Sequence, residues 1–377
     1  MGEEGQQVLI LASYAPSLLN FRGPLLRDLG NAGHTVHVAA PDFDLALREG
    51  LEQMGAEVHE TPLDRQGTGV LPDLRYFRVL RDLIRKTRPD LVLTYTIKPN
   101  IWGAFAAFLC GAPSAAMVTG LGYAFTGKGG FTQRISRFVA IVLYRLATSC
   151  NRVVVFQNPD DRNDFIAAGC LANPSKARMV NGSGVDCDHY APAPLPDTPV
   201  FLMIARLLTN KGVREYGEAA IRLKHSRPQA RCVLVGYFEE GPDSIAKADM
   251  DRWVAGGLEY VGKLDDVRPA LASCSVYVLP SYREGTPRSV LEALATGRPV
   301  ITCDAPGCRE TVVDGLNGFL VPVGDVESLH ARMAQLADDP DLRSRMAGES
   351  LRIAREKFDV GAVNSVLMRH LGLLHAC

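Results

Sequence analysis

Short apolar runs rich in Val, Ile and Leu alternate with stretches of helical periodicity from one end of the chain to the other. A strand that reads as an unbroken apolar run is covered on both faces, and helices between strands supply the crossovers, so the pattern predicts parallel sheets clad on both sides. Strands are expected at 8–13, 35–40, 57–61, 91–96, 114–119 and 153–157, and again at 200–205, 231–235, 259–261, 276–279, 300–302 and 319–321. Between the two series lies APAPLPDTP, residues 191–199, whose four prolines suit neither a helix nor a central strand. With 377 residues, too many for one ordinary core, the expected division is a first domain over 1–190, a linker at 191–199 and a second domain over 200–358. A last helix at 359–377 is expected to return to the first domain. Two doubly wound α/β domains facing a cleft would bind ligands on the loops that follow strands.

Composition excludes several classes. Hydrophobic residues at 47% and charged residues at 22% describe a folded globular chain. The nine cysteines form no CxxC pair and no Cys/His spacing suited to zinc, which points to a reduced, cytoplasmic setting. The start, MGEEGQQ, carries no basic segment ahead of its apolar run, so no export signal is expected. Residues 99–127 are uncharged and long enough to cross a bilayer, but five glycines and prolines interrupt them, and a buried helix, a turn and a strand are expected there. The net charge of -1 hides a surplus at 65–152, where thirteen Lys and Arg face three Asp and Glu.

The segment PSYREGTPRSVLEALATG, residues 280–297, follows a strand and specifies a helix. Thr286 suits an N-cap, Pro287 the first helical position, and Gly297 the stop. The first-turn N–H groups, with the positive end of the helix, would stabilise an anion such as a diphosphate. Glu284 ahead of this helix and Glu292 inside it would straddle that anion, and a carboxylate can accept from two neighbouring hydroxyls, as sugars and riboses present them. In FLMIARLLTNKG, residues 201–212, Arg206 ends a strand and Lys211 stands five residues on beside a glycine. A guanidinium fork and a mobile ammonium could together neutralise a leaving diphosphate without a metal.

Arg206, Lys211, the Val235-Gly236 loop, YVGKLDDV at 260–267 and the Glu284 to Glu292 segment together resemble glycosyltransferase family 4, whose fold is GT-B, two Rossmann-like domains. The resemblance spans essentially the whole chain and is most specific from Pro199 to Gly324. Within the family it is closest to bacterial transferases that add a sugar, often N-acetylgalactosamine, to a polyprenyl-diphosphate-linked sugar. It implies that Arg206 and Lys211 bind the donor diphosphate, Glu292 the ribose, and Glu284 the donor-sugar hydroxyls. Gly236 and the turn holding Val261, Lys263 and Leu264 would meet the uracil side. Gly285, Thr286 and the N–H groups of Ser289 and Val290 would face the phosphates.

In the first domain, SYAPSLLNFRGP at 13–24 matches a loop that closes over phosphates, and the candidates are Asn20 and Arg22, the latter aimed at an acceptor phosphate. VTGLGYAF at 118–125 is a glycine-rich loop after a strand, with Gly120 in it, and TIKPN at 96–100 offers Lys98 to the same cleft. Many relatives carry a histidine where this chain has Thr119, which weakens a histidine acid or base; His34 and His37 match a structural helix-to-strand junction.

The resemblance implies retention of anomeric configuration. With no carboxylate placed as a nucleophile, a front-face displacement is expected in which the leaving diphosphate helps to take the acceptor proton. No Asp-x-Asp motif stands in a loop suited to a metal diphosphate complex, so no metal and no cofactor is expected, the UDP-sugar being a substrate. Apolar residues interleaved with arginines at 71–88 and 131–146 fit peripheral contact with the inner face of the cell membrane, and no nucleic acid partner is implied. A nucleotide-sugar epimerase, a transferase with a soluble acceptor and a non-catalytic sugar-nucleotide binding module stay open at this point.

Overall fold

The computed structural model describes residues 5–64, 67, 69–121, 131–239, 241 and 243–374, with no side chains described at 131–133. The chain forms two compact units, one of Met1–Ser183 with Gly361–Cys377, the other of Gly184–Val360. Each is built on one parallel sheet, so both are α/β units.

The first sheet has seven strands: β1 (Gln7–Leu11), β2 (Thr35–Ala40), β3 (Ala56–Glu60), β4 (Leu91–Tyr95), β5 (Ser114–Val118), β6 (Val153–Phe156) and β7 (Ala177–Met179), in the order β3-β2-β1-β4-β5-β6-β7. The inner strands are buried along almost their whole length, as unbroken apolar runs require when helices lie on both faces. β7 is the strand that apolar patterning does not reveal: it is three residues long, partly exposed and contains Arg178. The helix Val360–Leu371 supplies Val363, Leu367 and Met368 to the core that holds Leu25, Leu26 and Leu29, and Asn364 Nδ2 donates to Asp28 Oδ2 at 2.7 Å.

The second sheet has six strands: β8 (Val200–Ile204), β9 (Arg231–Val235), β10 (Leu258–Gly262), β11 (Val276–Leu279), β12 (Val300–Cys303) and β13 (Gly318–Val321), ordered β10-β9-β8-β11-β12-β13. The proline-rich residues 191–199 belong to this unit. They are bound by Arg298, fully buried, which donates to the carbonyls of Ala193 and Pro194 at 2.9 to 3.2 Å. A buried guanidinium needs such acceptors, and an extended proline segment, with few donors of its own, presents bare carbonyls.

Residues 99–118 form a short helical stretch, Pro99–Gly103 continued by Ala104–Leu109, followed by β5. Among the described residues no helix is long and apolar enough to cross a membrane.

Candidate active site

In each sheet the strand order reverses beside the first strand, β1 between β2 and β4, and β8 between β9 and β11. A ligand crevice opens at such a reversal, outside the carboxyl ends of the strands, because the following loops diverge to opposite faces. In the second unit the two diverging loops carry Arg206 to Lys211 and Ser281 to Thr286.

After β8 the chain turns through Thr209–Lys211 into Gly212, whose φ of 73° lies in the left-handed region, and then starts the helix Val213–Ser226. A side chain at Gly212 would place its Cβ 2.1 Å from the Pro280 carbonyl oxygen. Only glycine allows the turn to lie against the end of β11 and bring Lys211 there. Gly212→Ala is expected to cost about 2 kcal/mol or more of stability, from strained φ plus a backbone collision, and denaturant unfolding of the variant checks it.

The two loops are stitched together. Tyr282 N–H donates to the Asn210 carbonyl at 3.0 Å, and Ser281 Oγ to the same carbonyl at 3.2 Å. Above this seam Lys211 Nζ donates to Glu284 Oε1 at 2.6 Å and Ser281 Oγ to that oxygen at 2.8 Å. Both charged side chains are largely shielded, at 18% and 14% exposure, so this ion pair is fixed in place rather than waving in solvent. Glu284 is also held by its backbone, whose N–H donates to Pro306 O at 2.9 Å.

A second cluster surrounds Glu292 on the helix Arg288–Ala295. Tyr190 OH and Arg288 Nε each donate to Glu292 Oε1 at 2.9 Å, and the residue is 8% exposed. Burial pushes the Glu292 carboxyl above its ordinary value, against the opposing pull of the Arg288 cation and the donated hydrogen bonds. Burial, with the Glu292 charge beside it, also raises the Tyr190 hydroxyl. Tyr190 carries no signal in the sequence, since its partner lies 102 residues downstream.

The helix begins differently from the sequence expectation. Pro287, with ψ of 111°, is the N-cap, and Thr286 Oγ1 donates to the Gly285 carbonyl at 2.9 Å. Of the N–H groups expected to face phosphates, that of Val290 bonds Pro287 O at 3.1 Å.

Arg206 stands apart from Lys211: it is 46% exposed and pairs with Glu239 at 2.8 Å. Gly236 lies where a Cβ would meet the Ala205 carbonyl oxygen at 1.9 Å, so β8 and β9 close together there. The β10 end beside it exposes Val261, and Leu264 is partly buried against the core, with Lys263 exposed between Gly262 and Leu264. Tyr260 OH donates to the Gly236 carbonyl at 3.1 Å and Phe238 meets the Tyr260 ring edge-on at 6.0 Å, forming an aromatic wall that the sequence reading omitted.

In the first unit, Arg22 is 4% exposed, with its guanidinium 5.2 Å above the Tyr95 ring and Nη2 donating to the Met117 sulphur at 2.8 Å. Ser17 Oγ and Tyr95 OH are 2.9 Å apart, and burial pushes the Tyr95 hydroxyl up to about 12. Arg22 thus lies at the carboxyl ends of β4 and β5, beneath the loop and not projecting from it. Asn20, the last residue of the helix Pro16–Asn20, is exposed. Lys98 Nζ donates to Asp73 Oδ1 and to the Asp64 carbonyl, both at 2.7 Å, which directs its charge at the helix Val70–Thr87. Thr119 is half-buried just beyond β5 and Gly120, with φ of 140°, is exposed. The remainder of the glycine-rich loop, 122–125, lies outside the described residues.

The chain matches two family descriptions in succession, glycosyl transferase 4-like domain over residues 23–181 and glycosyl transferases group 1 over residues 190–350. It is 27% identical over 378 residues to the N,N'-diacetylbacillosaminyl-diphospho-undecaprenol alpha-1,3-N-acetylgalactosaminyltransferase of Campylobacter jejuni, with 96% of each chain covered. It is 28% identical over 285 residues to the UDP-Gal:alpha-D-GlcNAc-diphosphoundecaprenol alpha-1,3-galactosyltransferase of Escherichia coli, covering 72% of each. The crystal structure of Anabaena HepE in complex with UDP and glucose superposes with a TM-score of 0.77 at 20% identity, over 98% of this chain and 100% of that one.

Proposed function

Since the chain belongs to the glycosyltransferases, a glycosyl transferase 4-like domain followed by a glycosyl transferases group 1 domain, we propose that it moves a sugar from a UDP-sugar to a polyprenyl-diphosphate-linked sugar. The transferred sugar is a hexose or N-acetylhexosamine, with N-acetylgalactosamine the first choice, and the step belongs to surface glycan or glycoprotein glycan assembly. The observation that carries the reading is the Lys211–Glu284 pair, fixed where the β8 and β11 loops diverge and one loop away from the buried Glu292. Two relatives that act on undecaprenyl-diphosphate-linked sugars, and a structural neighbour that binds UDP, support the substrate classes.

In this reading Glu292, held by Tyr190 and Arg288, accepts from the ribose hydroxyls. The diphosphate meets Lys211, with Arg206 swinging from Glu239 to add a second cation, and the aromatic wall of Phe238 and Tyr260 borders the uracil. Glu284 is then released towards the sugar hydroxyls. The acceptor hydroxyl oxygen bonds the anomeric carbon on the face that the phosphate oxygen leaves, and its proton passes to that leaving oxygen. Configuration is retained, and Lys211 neutralises the departing charge without a metal.

On the acceptor side, the helix Phe131–Cys150 exposes Ile135, Phe138, Val139, Val142 and Leu146 along one face among the exposed Arg134, Arg137 and Arg145. The neighbouring helix Ala104–Leu109 adds Phe108 and Leu109, both more than half exposed. Such a basic and apolar surface suits peripheral contact with an anionic cytoplasmic leaflet. By contrast the stripe on Val70–Thr87 packs inward through Tyr76, Leu80 and Ile84. Arg22 and Lys98 are the acceptor-side cations of the first unit, with Asn20, Thr119 and Gly120 on the adjoining loops.

Incubation with radiolabelled UDP-sugars and extracted polyprenyl-diphosphate-linked acceptor, with and without chelator, tests this. Label is expected to enter the organic phase in both conditions. Label that stays water-soluble would overturn the lipid acceptor in favour of a soluble one or an epimerase, and turnover lost in chelator and restored by magnesium would overturn metal independence. Absence of both turnover and UDP-sugar binding would leave neither reading standing.

A further inference from the structure

On the first sheet β2 and β3 pair in parallel with His37 opposite Glu57 and Ala39 opposite His59. Side chains two apart on a strand share a face, and directly paired residues on neighbouring strands share it too, so His37, Glu57 and His59 converge on one patch of the sheet. His37 Nδ1 lies 3.2 Å from His59 Nε2 and 3.2 Å from Glu57 Oε2. One oxygen or nitrogen from each of the three residues lies within 4.8 Å of the others. Donor atoms bound at about 2.0–2.1 Å in a tetrahedral shell stand about 3.3 Å from one another. The two 3.2 Å separations therefore match neighbouring corners of such a shell. A single proton on His37 Nδ1 points fully at one neighbour only, whereas a cation accepts a lone pair from each of the three.

We propose that His37, Glu57 and His59 form a binding site for a divalent transition-metal ion of the zinc type, which staples the edge strand β3 to β2. Two imidazoles and one carboxylate are a donor set for borderline cations and leave a fourth position for water. Glu57, 62% exposed at the side chain, opens that position to solvent and gives an entry path, while His37 at 5% anchors the site from below. The site lies along the face of β2 and β3 and not on the loops at their carboxyl ends, so its role is structural and it is separate from sugar transfer. Two features weaken the expected binding: among the described residues the buried His37 Nε2 has no hydrogen-bond partner to orient the ring, and the cations Lys86 and Arg48 act on His59.

The full chain, stripped with chelator and dialysed, is titrated with Zn²⁺ by calorimetry and with Co²⁺ by absorbance, beside Glu57→Gln and His59→Ala. Both variants change exposed or half-exposed side chains, and circular dichroism checks that each is folded. The unaltered chain is expected to bind one equivalent and to melt at a higher temperature with Zn²⁺, and each variant to bind at least tenfold more weakly with no such rise. The Co²⁺ spectrum is expected to show d–d bands without thiolate charge transfer. Equal affinity in all three proteins, no binding at all, or a thiolate band arising from the partly exposed Cys110, Cys150 or Cys187 would each overturn the site.

Discussion

Replacing Lys211 with alanine is expected to lower kcat/KM for sugar transfer by about 10²–10³-fold, the range found when one preorganised charge-stabilising donor is removed from a reacting centre. The reasoning rests on position. Lys211 comes off a turn that only Gly212 permits, and its ammonium is held at 2.6 Å from Glu284 by loops that bond each other through Asn210, Ser281 and Tyr282. A cation fixed there needs no reorganisation when charge builds on a leaving phosphate, which distinguishes it from Arg206, half exposed on a flexible stem. Lys211→Ala also removes the cation bonded to the shielded Glu284 carboxylate, which frees Glu284 to move and adds to the loss. Comparing Glu284→Gln separates the two: it keeps Lys211 and should fall mainly in binding of the donor sugar. Single-turnover kinetics on folded Lys211→Ala that match the unaltered chain would remove Lys211 from the leaving-group role.

Glu292→Ala is expected to raise KM for the UDP-sugar by about 10²-fold, the loss of one or two charge-assisted hydrogen bonds of roughly 1.5–3 kcal/mol each. Tyr190→Phe, which keeps the carboxylate but removes one of the groups aiming it, is expected to have a smaller effect of about tenfold in the same direction. Stability should move the opposite way for the neutral isostere. The folded Glu292 carboxyl is raised above its ordinary value by burial, so the stability tied to its protonated form is present at acid pH and lost as pH rises through that raised value. Glu292→Gln should therefore melt at or above the temperature of the unaltered chain at neutral pH, with the gap closing as pH falls into the carboxylate range. A variant that binds donor worse yet melts no lower identifies a group retained for binding and not for folding. A Glu292→Gln that melts markedly lower at neutral pH would show instead that the ionised carboxylate and Arg288 stabilise the unit.

Strands such as those at 200–205 and 276–279 were legible because a strand covered on both faces reads as an unbroken apolar run, with no polar residue to compete with that reading. β7 was not, because three residues paired at a sheet edge and only partly buried need no apolar pattern. The start of the helix at Arg288 was misjudged by one position: Thr286 is a good cap in isolation, but the proline after it takes an extended ψ, which moves the cap to Pro287. Lys98 and Arg22 were legible as cations after strands, yet nothing local indicated that Asp73 would bind the first or that Tyr95 would lie under the second.

The sequence by itself determined the elements, the residue types at the strand ends and the kind of chemistry they can do, since periodicity, caps and loop positions are set within a few residues of one another. Only the tertiary structure decided the partnerships. Lys211 meets Glu284 because β8 and β11 are neighbours although 71 residues of chain separate their ends and starts, Tyr190 meets Glu292 across 102 positions, and His37 meets Glu57 and His59 through the parallel register of β2 and β3. Each depends on which strands pair and in what register. That choice is made by the packing of whole sheets against their helices, so no window of local sequence contains it.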